Sequence, residues 1–262
     1  MPANQRPTQR PAPRWAVARP ARPAAELRLL CFPYAGGGSS IFRGWSALLD
    51  ERVEVCPVLL PGREERFSEP PMTRMEELVP LLARNLAGWF DKPFALFGHS
   101  LGGGIAFALA RYLCENGLPR PAHVFLSGCV PHPAKSRRHL LPDAGLLAEI
   151  RDMNGAPPEF LNNPELIELL LPMMRADFEL AQSGLPEPGE MLALPVTAFA
   201  GTSDPEAAHH HVKEWAQHVS GPFESYELPG DHFFLHDAGP LLGIVDRVLS
   251  TVPGGRNAPG TR

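Results

Sequence analysis

Cysteine is scarce in this chain of 262 residues, with four copies at Cys31, Cys56, Cys114 and Cys129 and no two in a C-x-x-C pair. That spacing speaks against both a zinc ribbon and a disulfide framework, and predicts buried free thiols in a reducing cytoplasm. Long hydrophobic runs are missing too. No stretch approaches the ~18 uninterrupted apolar residues of a membrane span. The first 25 residues, rich in Pro and Arg, lack the apolar core of a signal peptide. There is no basic surplus either: 24 Lys and Arg stand against 29 Asp and Glu, a net charge of −5, which argues against nucleic acid as a partner.

What remains suits one large domain with a full core, since 44% of the chain is hydrophobic. Residues 1–25 read as a disordered leader, 26–252 as the domain and 253–262 as a flexible tail. Within the domain, strand candidates at 27–32, 53–59, 94–97, 122–127, 194–200 and 223–228 alternate with helix candidates at 41–50, 75–90, 103–117, 206–219 and 237–251. Such alternation predicts an α/β fold, a mainly parallel sheet flanked by helices. From about 137 to 189 the alternation stops. Helical patterns at Leu146–Met153, Pro164–Pro172 and Met173–Gln182 follow one another with no strand. A crossover helix needs only about a dozen residues, so this longer segment is expected to be an α-helical lid over an apolar pocket, with Met173, Met174 and Phe178 as pocket residues.

The chemistry lies at Gly98-His99-Ser100-Leu101-Gly102, a G-x-S-x-G. The apolar run Phe94–Phe97 precedes it and a small-residue helix pattern follows from Gly103. Strand, sharp turn and helix make the setting of a nucleophile elbow, in which Ser100 is strained and exposed and a side chain at either flanking glycine would clash. A serine that merely caps the helix is the plainer reading, and the flanking elements weigh against it.

A serine nucleophile needs a base and an orienting acid, in the order Ser, Asp or Glu, His for this kind of elbow. Asp204 follows the strand candidate at 194–200, and His232 follows that at 223–228, both at strand C-terminal ends where an open α/β sheet binds ligands. The rivals fit less well. Asp231 adjoins His232 on one tight loop, and Asp237 stands where the last helix starts. His209, His210 and His211 diverge around a helix, with no other metal-ligand type at the right spacing, so no metal site is expected. His99 inside the elbow reads as a packing or hydrogen-bonding residue. For the oxyanion, the backbone N–H of Leu101 is one donor. The second is expected from the loop Pro33-Tyr34-Ala35-Gly36-Gly37-Gly38, with Ala35 favoured and Tyr34 and Gly36 as alternatives. That loop offers neither G-x-x-x-x-G-K-[ST] nor G-x-G-x-x-G, which speaks against phosphate or dinucleotide binding. Ser127-Gly128-Cys129 is expected at the pocket floor.

Over about Leu27 to Val252 the chain resembles the type II thioesterases, the editing enzymes of polyketide and nonribosomal peptide assembly lines, which have the α/β-hydrolase fold. The resemblance is carried by Phe32–Gly37, Leu60-Pro61-Gly62-Arg63-Glu64-Glu65-Arg66, Phe97–Gly102, Leu171-Pro172-Met173-Met174-Arg175-Ala176-Asp177-Phe178, Gly201–Asp204 and Pro229–Phe234. Leu101 stands where the family often has Met, a small departure because that residue contributes its amide. The resemblance implies a Ser100–His232–Asp204 triad and hydrolysis of acyl thioesters on the phosphopantetheine arm of acyl or peptidyl carrier proteins. It implies no cofactor, and the protein is expected to be a cytoplasmic monomer. Because carrier proteins are generally acidic, Arg63, Arg66, Lys135, Arg137 and Arg138 are candidate docking residues. A carboxylesterase or lipase acting on small esters is the alternative with the same triad.

Overall fold

Five of the strand candidates are mainly apolar and call for cover on both faces, whereas that at 223–228 alternates apolar and polar residues as a half-buried strand does. A computed structural model, which describes residues 14–132, 137–156, 158–184, 186–187 and 189–253, shows how. Six strands, β1 (Leu27–Phe32), β2 (Val53–Pro57), β3 (Phe94–His99), β4 (His123–Ser127), β5 (Val196–Gly201) and β6 (Phe223–Leu228), form one parallel sheet in the order β2-β1-β3-β4-β5-β6. Successive residues of a strand point to opposite faces. In β1, Leu30 and Phe32 therefore join a core with α1 (Met75–Asn85) and α2 (Leu101–Glu115), while Leu29 and Cys31 join another with Phe42, Trp45 and α7 (Ala238–Ser250).

The register brings the strand ends that matter together. Phe32 of β1 pairs with Gly98 of β3, His99 with Ser127 of β4, and Gly201 of β5 with Leu228 of β6. The sheet order reverses between β1 and β3, so the loops leaving these two strands part to opposite sides and leave a crevice at their carboxyl ends. The long segment between β4 and β5 contains α3 (Asp143–Asp152), α4 (Pro158–Leu161) and α5 (Pro164–Gln182), and α5 lies against α2. Pro172 sits inside α5, so the two expected helical stretches are one. No described helix is long and apolar enough to cross a membrane.

Three expectations need correction. The helix expected at 41–50 is two short 3₁₀ turns, Ser39–Phe42 and Trp45–Ala47, because the backbone turns left-handed at Gly44 (φ 86°). Buried Phe42 and Trp45, three apart, produced the helical pattern. The helix expected at 206–219 is one α-turn, α6 (His209–Val212), continued as a 3₁₀ helix over Lys213–His218, which buries Trp215 and His218 at three-residue spacing. The leader is not disordered throughout. Trp15, Ala16 and Val17 are buried, Trp15 with the Arg66 guanidinium 3.8 Å from its ring centroid. Ala16 bridges Val58, and the Trp15 carbonyl accepts from the Leu59 N–H at 2.9 Å. A tryptophan and an arginine stem offer enough apolar surface to fix a strap that composition alone marks as loose. Residues 1–13 and 254–262 lie outside the described residues.

His123 of β4 is buried beside Thr197, whose Oγ1 lies 2.9 Å from its Nε2, and burial pushes its pKa down to about 4 from 6.5. Between these values the unfolded chain binds a proton that the folded chain refuses, so lowering the pH from 6.5 towards 4 favours unfolding. Replacing His123 with Gln should remove on the order of 2–3 kcal/mol of the stability lost over that range. Urea denaturation at pH 7, 5.5 and 4 measures it, and parallel pH dependences for the two proteins would refute it.

Candidate active site

Ser100 sits between β3 and α2 with φ 53° and ψ −118°, a left-handed conformation that a non-glycine residue keeps only when its surroundings impose it. They do so here. A Cβ on Gly98 would lie 1.9 Å from the Gly102 carbonyl oxygen, and one on Gly102 would lie 2.1 Å from that of Phe32. Strand, helix and the end of β1 therefore meet backbone to backbone. The Ser100 N–H donates to the Ser127 carbonyl at 2.8 Å, tying the turn to β4.

The three residues expected to form a triad come together. Ser100 Oγ is 3.0 Å from His232 Nε2, and His232 Nδ1 is 2.9 Å from Asp204 Oδ2. Asp204 is buried, and its other oxygen accepts from the Glu206 and Ala207 amides at 2.8 and 3.0 Å. A carboxylate whose lone pairs are so occupied is fixed in direction. It makes Nδ1 the protonated nitrogen of neutral His232 and leaves Nε2 to accept from Ser100. The rival acids stand elsewhere: Asp231 accepts from the Phe233 amide at 2.8 Å, and Asp237 is the exposed residue before α7. His211 pairs with Glu214 and His209 with Ser225.

His99, expected to pack or to hydrogen-bond, does both. It is fully buried, its Nε2 donates to the His232 carbonyl at 2.8 Å, and Ser127 Oγ lies 2.9 Å from its Nδ1. A carbonyl only accepts, so Nε2 carries the proton and Nδ1 accepts from Ser127. Burial holds its pKa well below 6.5, with the nearby His232 adding to the effect. His99 therefore anchors the backbone of His232 as a neutral ring.

A cavity of about 330 Å³ opens over Ser100 and His232, bordered by Ala35, Leu101, Gly128 and Cys129 and roofed by Met174 and Phe178 of α5. Burial pushes the Cys129 thiol up to about 12, which makes it a neutral wall rather than a competing nucleophile. Met173 does not reach this cavity. On a helix, positions 174 and 178 share a face while 173 is turned about 100° away, and Met173 is buried in the cluster formed with Leu146, Ile150 and Phe160.

Ala35 and Leu101 line the same cavity as Ser100, and neither amide donates to another protein group among the described residues. The alternative donor Gly36 is engaged, because its N–H donates to Asp177 Oδ2 at 2.8 Å. Asp177, fully buried on α5, forms a bidentate pair with Arg63 at 2.6 and 2.8 Å, and Arg63 Nη1 also donates to the Gly37 carbonyl at 3.1 Å. Glu64 accepts from the Ser39 and Ser40 amides. Burial alone would raise its carboxyl, but those hydrogen bonds outweigh it and hold the pKa below the usual value. The docking role expected for the arginines fails at Arg63 and Arg66, since both are buried, Arg66 against Glu69, the Leu59 carbonyl and Trp15. Arg138 is paired with Glu149 and Glu206, Lys135 lies outside the described residues, and Arg137 is exposed. No sequence signal joins Arg63 to Asp177 across 114 positions. The one hint is a carboxylate on the otherwise apolar face of α5.

With this geometry in place, the Thioesterase family model, described as a thioesterase domain, matches residues 27–253. The chain belongs to the thioesterase family. Among solved structures, this thioesterase is similar to RedJ, a thioesterase from the prodiginine biosynthetic pathway in Streptomyces coelicolor. The two are 37% identical with a TM-score of 0.81, over 92% of this chain and 96% of RedJ. It is also similar to YbtT, a type II thioesterase from the yersiniabactin NRPS/PKS biosynthetic pathway, at 33% identity and a TM-score of 0.80 over 89% and 97% of the two chains. A curated relative, linear gramicidin dehydrogenase LgrE of Brevibacillus parabrevis, is 39% identical over 246 residues, 91% of this chain and 93% of that one. The glycine loop of this thioesterase has no G-x-G-x-x-G, and carboxylates already occupy the Gly36, Ser39 and Ser40 amides that would cradle a pyrophosphate.

Replacing Ser100 or His232 with Ala should lower kcat for thioester hydrolysis by about 10⁴-fold or more, and combining them should add little, because such groups act as a unit. Asp204→Asn should cost ~10²- to 10⁴-fold. Steady-state assays on an acyl-pantetheine thioester decide it. Near-normal turnover by Ser100→Ala, or a greater loss from Asp231→Asn than from Asp204→Asn, would overturn these assignments.

Proposed function

We propose that this thioesterase hydrolyses acyl thioesters held on the phosphopantetheine arm of carrier proteins, clearing stalled or aberrant acyl groups from a polyketide or nonribosomal peptide synthase. The carrying observation is the hydrogen-bonded series Ser100–His232–Asp204 opening into an apolar cavity in a chain of this family. The biosynthetic settings of RedJ and YbtT support the choice of substrate.

In this reading His232 Nε2 takes the Ser100 proton as Oγ attacks the thioester carbonyl. The Leu101 and Ala35 amides receive the developing oxyanion, assisted by the N-terminus of α2. Asp204 stabilises the imidazolium without taking its proton. The C–S bond then breaks, and His232 returns the proton to the departing pantetheine sulfur. Water, deprotonated by the same nitrogen, attacks the acyl-serine and releases the acid and Ser100. These steps call on no metal or redox group. The segment 137–189 serves as the lid, with Met174 and Phe178 meeting the acyl chain. The enzyme works as a monomer in the cytoplasm, where its four free thiols stay reduced.

A hydrolysis panel tests the substrate class: acyl groups on carrier proteins, the same acyls on small pantetheine mimics, and simple esters. Carrier-bound thioesters should give the highest kcat/KM, and a preference for simple esters would favour a carboxylesterase instead. The same panel, varied in chain length, tests the lid. Phe178→Gln should shift chain preference with little change in Tm. Met173→Gln should lower stability by about 2–3 kcal/mol, because it buries an amide in the lid core, and leave preference unchanged. Reversed behaviour at the two positions would mean that the cavity wall has been misplaced.

A further inference from the structure

The Ala35 amide belongs to a turn to which, among the described residues, no triad side chain is hydrogen-bonded. Its peptide plane is shared with the Tyr34 carbonyl, and a trans peptide points its N–H opposite to its C=O. Whatever fixes the Tyr34 carbonyl therefore aims the Ala35 N–H. That carbonyl accepts from the Gly37 N–H at 2.9 Å, and the first and third of the peptides that follow are held from outside the turn. Asp177 takes the Gly36 N–H, and Arg63, gripping Asp177 through both oxygens, donates to the Gly37 carbonyl.

Net stability is a weak reason for a pair so placed. Asp177 has no exposed surface and Arg63 is 6% exposed. Taking both charges out of water cancels most of their attraction, and an apolar pair of similar volume commonly serves as well. An apolar pair cannot, however, hold an amide. Asp177 also rides on α5, one position short of Phe178 and three beyond Met174, the two cavity residues of that helix.

We propose that Asp177 is a positioning residue for acyl transfer: through its bond to the Gly36 amide it aims the Ala35 oxyanion donor and links that donor to the helix that contacts the acyl chain. The proposal rests on the acyl-enzyme reading above. Under it, acyl chains that shift α5 lose rate in the chemical step, so chain selection acts on kcat as well as on KM.

Two double variants separate this role from a structural one. Arg63→Met with Asp177→Leu removes both charges and the Gly36 acceptor. Arg63→Met with Asp177→Asn removes both charges but leaves an oxygen for Gly36. On an acyl-pantetheine thioester the first should lose kcat by about 10- to 100-fold, somewhat less than outright removal of an oxyanion donor. Its KM should stay within about twofold, and so should its Kd for a non-hydrolysable amide analogue. The second should stay within about threefold of the parent kcat. Equal kcat for the two, or losses that simply follow Tm, would overturn the proposal. Arg63→Lys keeps a cation beside Asp177 and leaves the Gly36 bond in place, and it decides the matter if a double variant gives no cooperative melt. Lysine cannot reproduce the bidentate grip, so Tm should fall while kcat stays within about threefold; a tenfold loss of kcat would again overturn the role. Failure of the acyl-enzyme reading itself would look different, as turnover that survives Ser100→Ala in the parent protein.

Discussion

The site depends on one steric constraint: β3, α2 and the end of β1 approach so closely that no side chain fits between them. Hypothetical Cβ atoms at Gly98 and Gly102 would sit within about 2 Å of main-chain oxygens, so backbone meets backbone at this crossing. The chain can leave β3 and begin α2 in so little space only by passing Ser100 through a left-handed conformation. The serine hydroxyl is thereby raised above the sheet edge, and the first amide of α2 comes beside it. The same contact presses the end of β1 against α2, which places the glycine loop, and with it Ala35, next to the nucleophile.

Around that crossing the polar groups fall into two sets. One lies within the sheet: Asp204 orients His232 from the end of β5, and His99 anchors the His232 backbone from β3. The other lies outside it, where Arg63, Glu64 and Asp177 hold the glycine loop. The first set holds His232 and the second holds the glycine loop, and the two have none of these side chains in common. Each half can therefore be weakened by substitution while the other keeps its geometry.

Much of this was legible in the sequence, for reasons that differ by element. Strands β1 to β5 were clear because a strand buried on both faces is a mostly apolar run, β6 because its apolar and polar residues alternate, and the elbow because G-x-S-x-G between such a run and a helix has few other uses. Asp204 and His232 could be placed because each follows a strand directly. The segments 41–50 and 206–219 misled because three-residue spacing of buried aromatics suits a 3₁₀ turn as well as an α-helix. Trp15 was hidden by the Pro and Arg around it, whose composition resembles that of a disordered segment. Met173 was misplaced because an apolar run covering more than one helical face does not tell which face meets the cavity. Arg63 and Asp177 were present in quoted motifs, yet a pair separated by 114 positions leaves no periodic trace and is known only once the chain has folded.

The hydrogen bond from His99 to the carbonyl of His232 has a further mechanical meaning. It crosses from the strand that ends in the nucleophile to the loop that carries the base, so the two reacting side chains share one frame in addition to their own contact. That side of the cavity behaves as an anvil, stiff because three adjacent strands stand behind it. The opposite wall is α5, faced with methionine and phenylalanine, and methionine in particular reshapes at little cost. Across the cavity, the compliant side chains of Met174 and Phe178 thus face a serine and an imidazole that are held from the backbone behind them.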